Sequence, residues 1–196
     1  MTQINAIGDA CPIPVVKTKK ALAEITSGTL EVLVDNAIAV QNVQRFASSI
    51  GCSFDVEEKN NHYIITIEKQ DTQQQTDSVC DEVPSGKILV VLSSNVMGSG
   101  DDELGGILMK GFVFALTQLD TLPDTILLYN TGAQLSIKGA ATLNDLVALE
   151  KAGVRILTCG TCLNHFGIAD ELGVGEVTNM YSIVEEMRDA SRILRP

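Results

Sequence analysis

A polar, acidic segment from Gln70 to Gly86 constrains the fold most, because it divides the chain into two parts with different patterns. It is rich in Gln, Thr, Asp and Ser, and ends in Pro84-Ser85-Gly86. Residues 71–86 include four acidic residues and no Lys or Arg. Such a composition favours a solvated, extended chain over a packed one. The sequence therefore predicts a domain over residues 1–69, a flexible acidic linker over 70–86 and a second domain over 87–196.

The first part reads as strand, helix, strand, helix, strand, strand. Apolar residues recur at helical spacing over residues 12–27 and 37–50, and Gly51 closes the second helix. Strand patterns cover residues 3–7, 30–35, 54–58 and 63–68. The order βαβαββ predicts a small two-layer α/β sandwich.

The second part repeats strand, loop and helix. Its strands are rich in Ile, Leu and Val, as in a buried parallel sheet, and cover residues 87–93, 125–129 and 154–158. Helical patterns cover residues 102–120, 140–152, 163–172 and 180–191. We therefore predict a doubly wound, Rossmann-like α/β domain, in which functional sites gather at the carboxyl ends of the strands.

Charge and hydropathy exclude several functions. The 196 residues carry a formal net charge of −11, which disfavours binding to nucleic acid or to an anionic membrane surface. The N-terminus shows no signal-peptide pattern, and the apolar runs are too short to span a bilayer. We expect a cytoplasmic protein in which the five cysteines are mostly reduced, so that catalytic thiols are favoured over a disulfide framework.

Cys11 is the first candidate catalytic residue. It stands at the predicted start of a helix, followed by Pro12 and Pro14. Proline suits a first helical turn, and a helix N-terminus lowers the pKa of a thiol and favours the thiolate. A thiolate in this position can attack a persulfide and hold its sulfur. The alternative is that Cys11 is only a small residue before a helix that proline starts.

Cys159 and Cys162 form the second candidate site, at the end of a predicted strand. Their spacing fits a redox dithiol or half of a zinc site, and no second pair at ligand spacing completes four zinc ligands. We therefore predict no metal and no cofactor. His165 would share a helix face with Cys162 and could move a proton, or it is an exposed loop residue.

Two further strand ends precede Asn95 and Asn130, which we expect to line the cysteine pocket. The glycine-containing loop after Asn95 has no P-loop lysine, and acidic residues 101–103 would repel a phosphate, so they are interpreted as a helix cap.

Residues 2–69 resemble the TusA/SirA family. The resemblance rests on Gly8-Asp9-Ala10-Cys11-Pro12-Ile13-Pro14-Val15 and Lys19-Lys20-Ala21-Leu22 within the βαβαββ order. It implies that Cys11 carries persulfide sulfur received from a cysteine desulfurase or another sulfur or selenium donor protein. Asp9 stands within a stretch where the family usually has Arg-Gly-Leu, and it would raise the pKa of Cys11.

The second part resembles the DsrE-like fold, and the two parts in this order resemble the YedF proteins, which are linked to selenium metabolism. The residues concerned include Tyr129-Asn130-Thr131-Gly132 and Cys159-Gly160-Thr161-Cys162-Leu163. The resemblance implies a homo-oligomer through the C-terminal domain. We expect a sulfurtransferase in which Cys11 passes a persulfide to Cys159, with Cys162 resolving the intermediate. The alternatives are a non-catalytic, redox-sensing adaptor or regulator, and a dithiol reductase.

Overall fold

The computed structural model describes residues 2–10, 12–59, 62–70 and 86–196. The chain divides into two compact units, Met1–Val79 and Cys80–Pro196. Cys11 and most of the predicted linker lie outside the described residues, so the limits of the predicted domains stay predictions.

The first unit has the predicted order of four strands and two helices. Its elements are β1 (Thr2–Asn5), α1 (Ile13–Glu24), β2 (Gly28–Val34), α2 (Ala37–Ser49), β3 (Ser53–Lys59) and β4 (His62–Lys69). The sheet order is β1-β2-β4-β3, with β1 parallel to β2 and the other pairs antiparallel. This mixed sheet confirms the βαβαββ sandwich.

One face of this sheet carries the core. Leu30, Val32 and Val34 alternate along β2 and are fully buried, as expected for a strand with one covered face. They pack with buried residues of both helices, such as Leu22 of α1 and Val43 of α2. Both helices therefore lie on the same face of the sheet.

The second unit is built on a five-stranded sheet in which every strand pair is parallel. Its strands are β5 (Ile88–Leu92), β6 (Thr125–Leu128), β7 (Arg155–Cys159), β8 (Glu176–Thr178) and β9 (Arg192–Leu194), in the order β8-β7-β6-β5-β9. Its α-helices are α3 (Asp102–Leu116), α4 (Leu143–Lys151), α5 (Gly160–Phe166) and α6 (Met180–Asp189). Two 3-10 helices cover Asn130–Ser136 and Ala169–Glu171.

Helices cover both faces of this sheet, which confirms the doubly wound class. Met109 of α3 and Leu146 of α4 pack on one face with residues such as Ile126. Ile183 of α6 packs on the other face with residues such as Leu127 and Cys159. No helix in the described part of the chain has the length and apolar character needed to cross a membrane.

Several element ends differ from the sequence prediction for local reasons. The helix predicted over 163–172 stops at Phe166, because Gly167 adopts a left-handed φ of 66° and caps it. The helix predicted to reach residue 27 ends at Glu24, since Ile25 is already extended. The short edge strands β8 and β9 were not predicted, because they are largely exposed and carry no apolar run.

Candidate functional site

The loop before Cys11 is anchored to the start of α2. Gly8 has a φ of 79°, and its N–H donates to the Asp35 carboxylate over 2.7 Å. The Asn36 side chain and this Gly8 N–H lower the pKa of Asp35, with the Asn36 hydrogen bond the larger cause. The carboxylate is therefore kept charged and continues to accept the Gly8 N–H, which fixes the path of the chain toward residue 11.

Asp9 forms an ion pair with Lys17 of α1, with 2.5 Å between the carboxylate and Nζ. Lys17 Nζ also donates to the Asn5 carbonyl over 3.0 Å. The sequence suggested that the Asp9 charge raises the pKa of the neighbouring thiol. The ion pair offsets part of that charge, and no residue pattern signalled it because Asp9 and Lys17 lie eight positions apart on different elements.

The two prolines begin α1 as the motif requires. Pro12 is the residue immediately before the helix, and Pro14 is buried in its first turn. The Ile13 N–H donates to the Ala10 carbonyl over 2.9 Å. The Thr18 hydroxyl donates to the Pro14 carbonyl over 2.8 Å in the buried interior. Both prolines therefore fix the backbone on the C-terminal side of Cys11.

A pocket of about 220 Å³ lies between the first turns of α1 and α2. Both chain neighbours of Cys11, Ala10 and Pro12, line it. Its other lining residues are Asp9, Pro14, Val15, Asn36, Ala39 and Asn42. The pocket is thus lined by both sequence neighbours of the predicted nucleophile. Its lining combines apolar side chains with the amide groups of two asparagines.

The second candidate site lies at the carboxyl end of the parallel sheet, as predicted. Cys159 is the last residue of β7 and is 1% exposed, whereas Cys162 on α5 is partly exposed. Both thiols are free. The Asn130 backbone N–H donates to Cys162 Sγ over 3.0 Å. The fold therefore brings Asn130 to Cys162 from the end of the neighbouring strand, through its backbone.

Four effects act on the pKa of the Cys162 thiol. Burial raises the pKa and is the largest effect, while the Asn130 N–H lowers it. The neighbouring Cys159 thiol raises the pKa further, through a hydrogen-bond effect that favours protonated Cys162 and through its charge. The net direction is upward, so Cys162 stays mostly protonated at neutral pH.

A close backbone contact holds Asn130 in this position. Asn130 has a φ of 53°, and it is the only residue other than glycine with a positive φ in the described ranges. Two residues later, a Cβ on Gly132 would lie 2.0 Å from the Leu92 carbonyl oxygen. Only glycine permits this approach, so Gly132 seats the 3-10 helix against the end of β5. No pattern in the sequence indicated that Gly132 makes this close approach.

Asn95 connects to the same 3-10 helix and not directly to a cysteine. Its N–H donates to the Thr131 hydroxyl over 3.2 Å, and its side-chain amide donates to Gln134 Oε1 over 3.0 Å. Within the helix, the Ser136 hydroxyl lies 3.0 Å from the Thr158 hydroxyl of β7. The ends of three neighbouring strands are thus tied together around the dithiol.

The remaining candidate side chains have simpler surroundings. His165 is exposed on α5, and its ring packs edge-on against Phe166 with 5.0 Å between centroids. Cys52 is half-buried and packs beside the core of the first unit. Cys80 lies outside the described residues. Within those residues no three His, Cys, Asp or Glu side chains gather in a way that could hold a metal ion.

The described residues place two prolines at the start of α1 in a βαβαββ sandwich, and a pair of free thiols in the second unit. Residues 2–69 match the model of the family described as sulfurtransferase TusA. A relative from Methanocaldococcus jannaschii, named "Putative sulfur carrier protein", is 42% identical over 71 residues, covering 35% of this chain and 95% of its own length. Through this N-terminal part the chain belongs to the TusA family.

Two solved structures are similar to parts of the chain. A SirA-like protein from Desulfitobacterium hafniense is 45% identical, with a TM-score of 0.34, over 35% of this chain and 96% of its own. The ychN protein from E. coli is 19% identical, with a TM-score of 0.44, over 56% of this chain and 98% of its own.

Proposed function

We propose that this protein is a sulfur carrier in which Cys11 holds sulfane sulfur as a persulfide. The observation that carries the proposal is the family membership of residues 2–69, which contain the motif Cys11-Pro12-Ile13-Pro14, with α1 beginning at Ile13. Sulfur carriage needs a nucleophilic thiol that accepts sulfur from one protein and presents it to another. A cysteine desulfurase, or another protein that donates persulfide or selenium, is the proposed donor.

The surroundings of residue 11 support this role. The Asp9–Lys17 ion pair and the Gly8–Asp35 hydrogen bond fix the loop on one side, and Pro12 fixes it on the other. A fixed loop costs less conformational entropy when a donor protein engages it. The 220 Å³ pocket beside Ala10 and Pro12 gives such a donor an apolar surface to contact.

We further propose that the sulfur moves from Cys11 to the site of Cys159 and Cys162 in the second unit. The support is a pair of free thiols that belong to one packed cluster at the carboxyl edge of the parallel sheet. The proposal includes a DsrE-like second unit and a YedF-like arrangement of the whole chain. It also includes the transfer of selenium, which forms the same kinds of bonds as sulfur, and a location in the cytoplasm.

The proposal includes self-association through the second unit. Leu104, Ile107 and Leu108 occupy one side of α3 and are all exposed, with Ile107 64% exposed. Such a stripe is suited to burial against a second copy of the chain. Light scattering of the intact protein measures this directly, and a monomer at micromolar concentration contradicts it.

The test of the carrier function is to load the protein with a persulfide donor and map sulfur by mass spectrometry. We expect the peptide with Cys11 to gain one sulfur atom, and Cys11→Ser to abolish that gain. Cys52→Ser is the matched control, because Cys52 is a half-buried thiol of the same unit and should not affect loading. No sulfur on Cys11 in Cys159→Ala/Cys162→Ser protein, in which the relay cannot remove it, would rule out the proposal.

A second candidate function is that of a dithiol reductase, favoured by the contact between Cys159 and Cys162. It predicts a reversible disulfide whose potential lies near that of the cytosol. Equilibration with glutathione buffers measures this potential. A reductase that uses only this dithiol would keep its full activity in Cys11→Ser, whereas the relay would stop.

A further inference from the structure

The two thiols of the second site differ in their access to a donor. Cys159 is 1% exposed and belongs to the core cluster that includes Leu157 and Ile183. Cys162 is partly exposed on the short helix α5. A persulfide on another protein or domain must touch the thiol that attacks it. Only Cys162 offers its sulfur to such a partner.

A fixed hydrogen-bond donor also lies against Cys162. The Asn130 N–H donates to its Sγ over 3.0 Å. The left-handed Asn130 backbone and the tight approach of Gly132 hold the N–H in place. Fixed donors stabilise negative charge as it develops on an attacked or attacking sulfur. These contacts distinguish Cys162 from a thiol that is merely exposed.

A sulfur held on Cys162 would lie near a second thiol, because Cys162 packs against the core cluster that contains Cys159. A neighbouring group held in place reacts as if it were at very high concentration, so a persulfide on Cys162 is exposed to rapid attack by Cys159. A carrier with one thiol has no such neighbour. The pair is therefore suited to discharge sulfur and not only to store it.

We propose, as a step that rests on the sulfur-carrier function above, that Cys162 accepts the sulfane sulfur and Cys159 releases it as hydrosulfide. This order is the reverse of the one that the sequence suggested. It gives the chain a persulfide-reducing activity in addition to sulfur carriage. Asn130 acts as a positioning residue through its backbone N–H.

The first step moves sulfur without net oxidation. Cys162 loses its proton to water, and its thiolate attacks the outer sulfur of the donor persulfide. A bond forms between that sulfur and Cys162 Sγ, and the donor sulfur–sulfur bond breaks. The donor leaves as a thiolate. In the second step Cys159 loses its proton to water and attacks Cys162 Sγ. The Cys159–Cys162 disulfide forms, hydrosulfide leaves, and the two electrons lost by the dithiol reduce the sulfane sulfur.

One turnover needs no further reductant, because the dithiol supplies both electrons. A second turnover requires a thiol reductant, of the dithiol or glutathione class, to reopen the disulfide. A single-turnover experiment therefore isolates the proposed chemistry.

The test uses full chains that carry Cys11→Ser, so that loading of the second site does not depend on Cys11. A glutathione persulfide probe is added without reductant, and hydrosulfide and the masses of cysteine peptides are measured. In this background we expect about one hydrosulfide per chain and a disulfide between Cys159 and Cys162. Adding Cys159→Ala should leave one extra sulfur on Cys162 and release about tenfold less hydrosulfide within the same time.

Adding Cys162→Ser instead should prevent loading of Cys159. Persulfide on Cys159 in that variant, or no hydrosulfide from the chain that lacks only Cys11, would overturn the proposal. Folding is checked by alkylation of the native Cys11→Ser chain, in which Cys162 should react and Cys159 should not. Failure of the carrier function appears separately, as Cys159→Ala/Cys162→Ser protein that takes no sulfur on Cys11 while the Cys11→Ser chain still releases hydrosulfide.

Discussion

At the scale of single residues, the site around Cys162 depends on a glycine that carries no functional group. Gly132 brings the 3-10 helix within reach of β5, because an added Cβ would lie 2.0 Å from the Leu92 carbonyl oxygen. The backbone must therefore move in Gly132→Ala. Since the Asn130 N–H is carried by the same helix, its hydrogen bond to Cys162 should be lost.

We expect Gly132→Ala to raise the pKa of Cys162, because the Asn130 N–H lowers that pKa in the wild type. The second unit should also lose about 1–3 kcal/mol of stability, as in other overpacked sites. The measurement is the alkylation rate of Cys162 against pH, resolved by fragment ions. The pH midpoint of this profile reports the pKa of Cys162, and it is separate from any change in the reagent's access to the thiol.

Two variants control this experiment. Gly106→Ala adds a Cβ in α3 with no atom within 4 Å, so it should leave the midpoint unchanged. Asn130→Gly keeps the backbone N–H and readily adopts a positive φ, and it should leave the midpoint close to that of the wild type. An unshifted midpoint in folded Gly132→Ala would show that the N–H does not tune Cys162.

At the scale of elements, one carboxylate fixes α6 to the amino ends of the strands, which is the end of the sheet opposite the two cysteines. Glu186 accepts hydrogen bonds from Lys87, next to β5, and from Arg155 of β7, the latter over 2.9 Å. Burial raises its pKa, but these two cations lower it more, so the net shift is downward. The pKa of Glu186 is therefore lower in the folded state than in the unfolded state. The ion pairs stabilise the fold at pH values above the unfolded pKa, and this stabilisation is lost as pH falls through the folded pKa.

We expect Glu186→Gln to destabilise the second unit by about 1–2 kcal/mol at neutral pH, a value discounted for the exposure of Arg155. The difference from the wild type should shrink as pH drops below the usual range for a glutamate. Hydrogen exchange of β5 and β7 amides measures it. Glu185→Gln removes the same charge from the same helix and is the control; an equal loss in both variants would show a general charge effect.

Sequence patterns predicted those elements whose residues are buried as a run. The apolar segments that became β5, β6 and β7 could be recognised because a parallel sheet covers both faces. The edge strand Glu176–Thr178 could not be recognised in this way, because two of its three residues face solvent. At the site, the cysteines were visible in the sequence. The Asn130 donor was not, since it arises from a backbone angle and from the close approach of Gly132.

At the scale of the whole molecule, two thiol sites of different kinds belong to separate compact units of one chain. The first is the predicted site at Cys11 in the TusA-family part, and the second has two free thiols in one packed cluster. Covalent linkage of two reacting sites raises the effective concentration of each to the millimolar range for a short flexible connection. Sulfur transfer within one chain should then be faster than transfer between chains at ordinary protein concentrations.

The relay therefore predicts a particular dependence on concentration. Protein loaded on Cys11 in a short pulse should release hydrosulfide at a rate that does not change on tenfold dilution. An equimolar mixture of Cys162→Ser chains, loaded on Cys11, with unloaded Cys11→Ser chains should release it at a rate that falls about tenfold on the same dilution. Both samples hold the same two sites, so the comparison isolates their linkage. Equal dilution dependence in the two samples would show that sulfur passes between chains and that joining the two units serves another purpose.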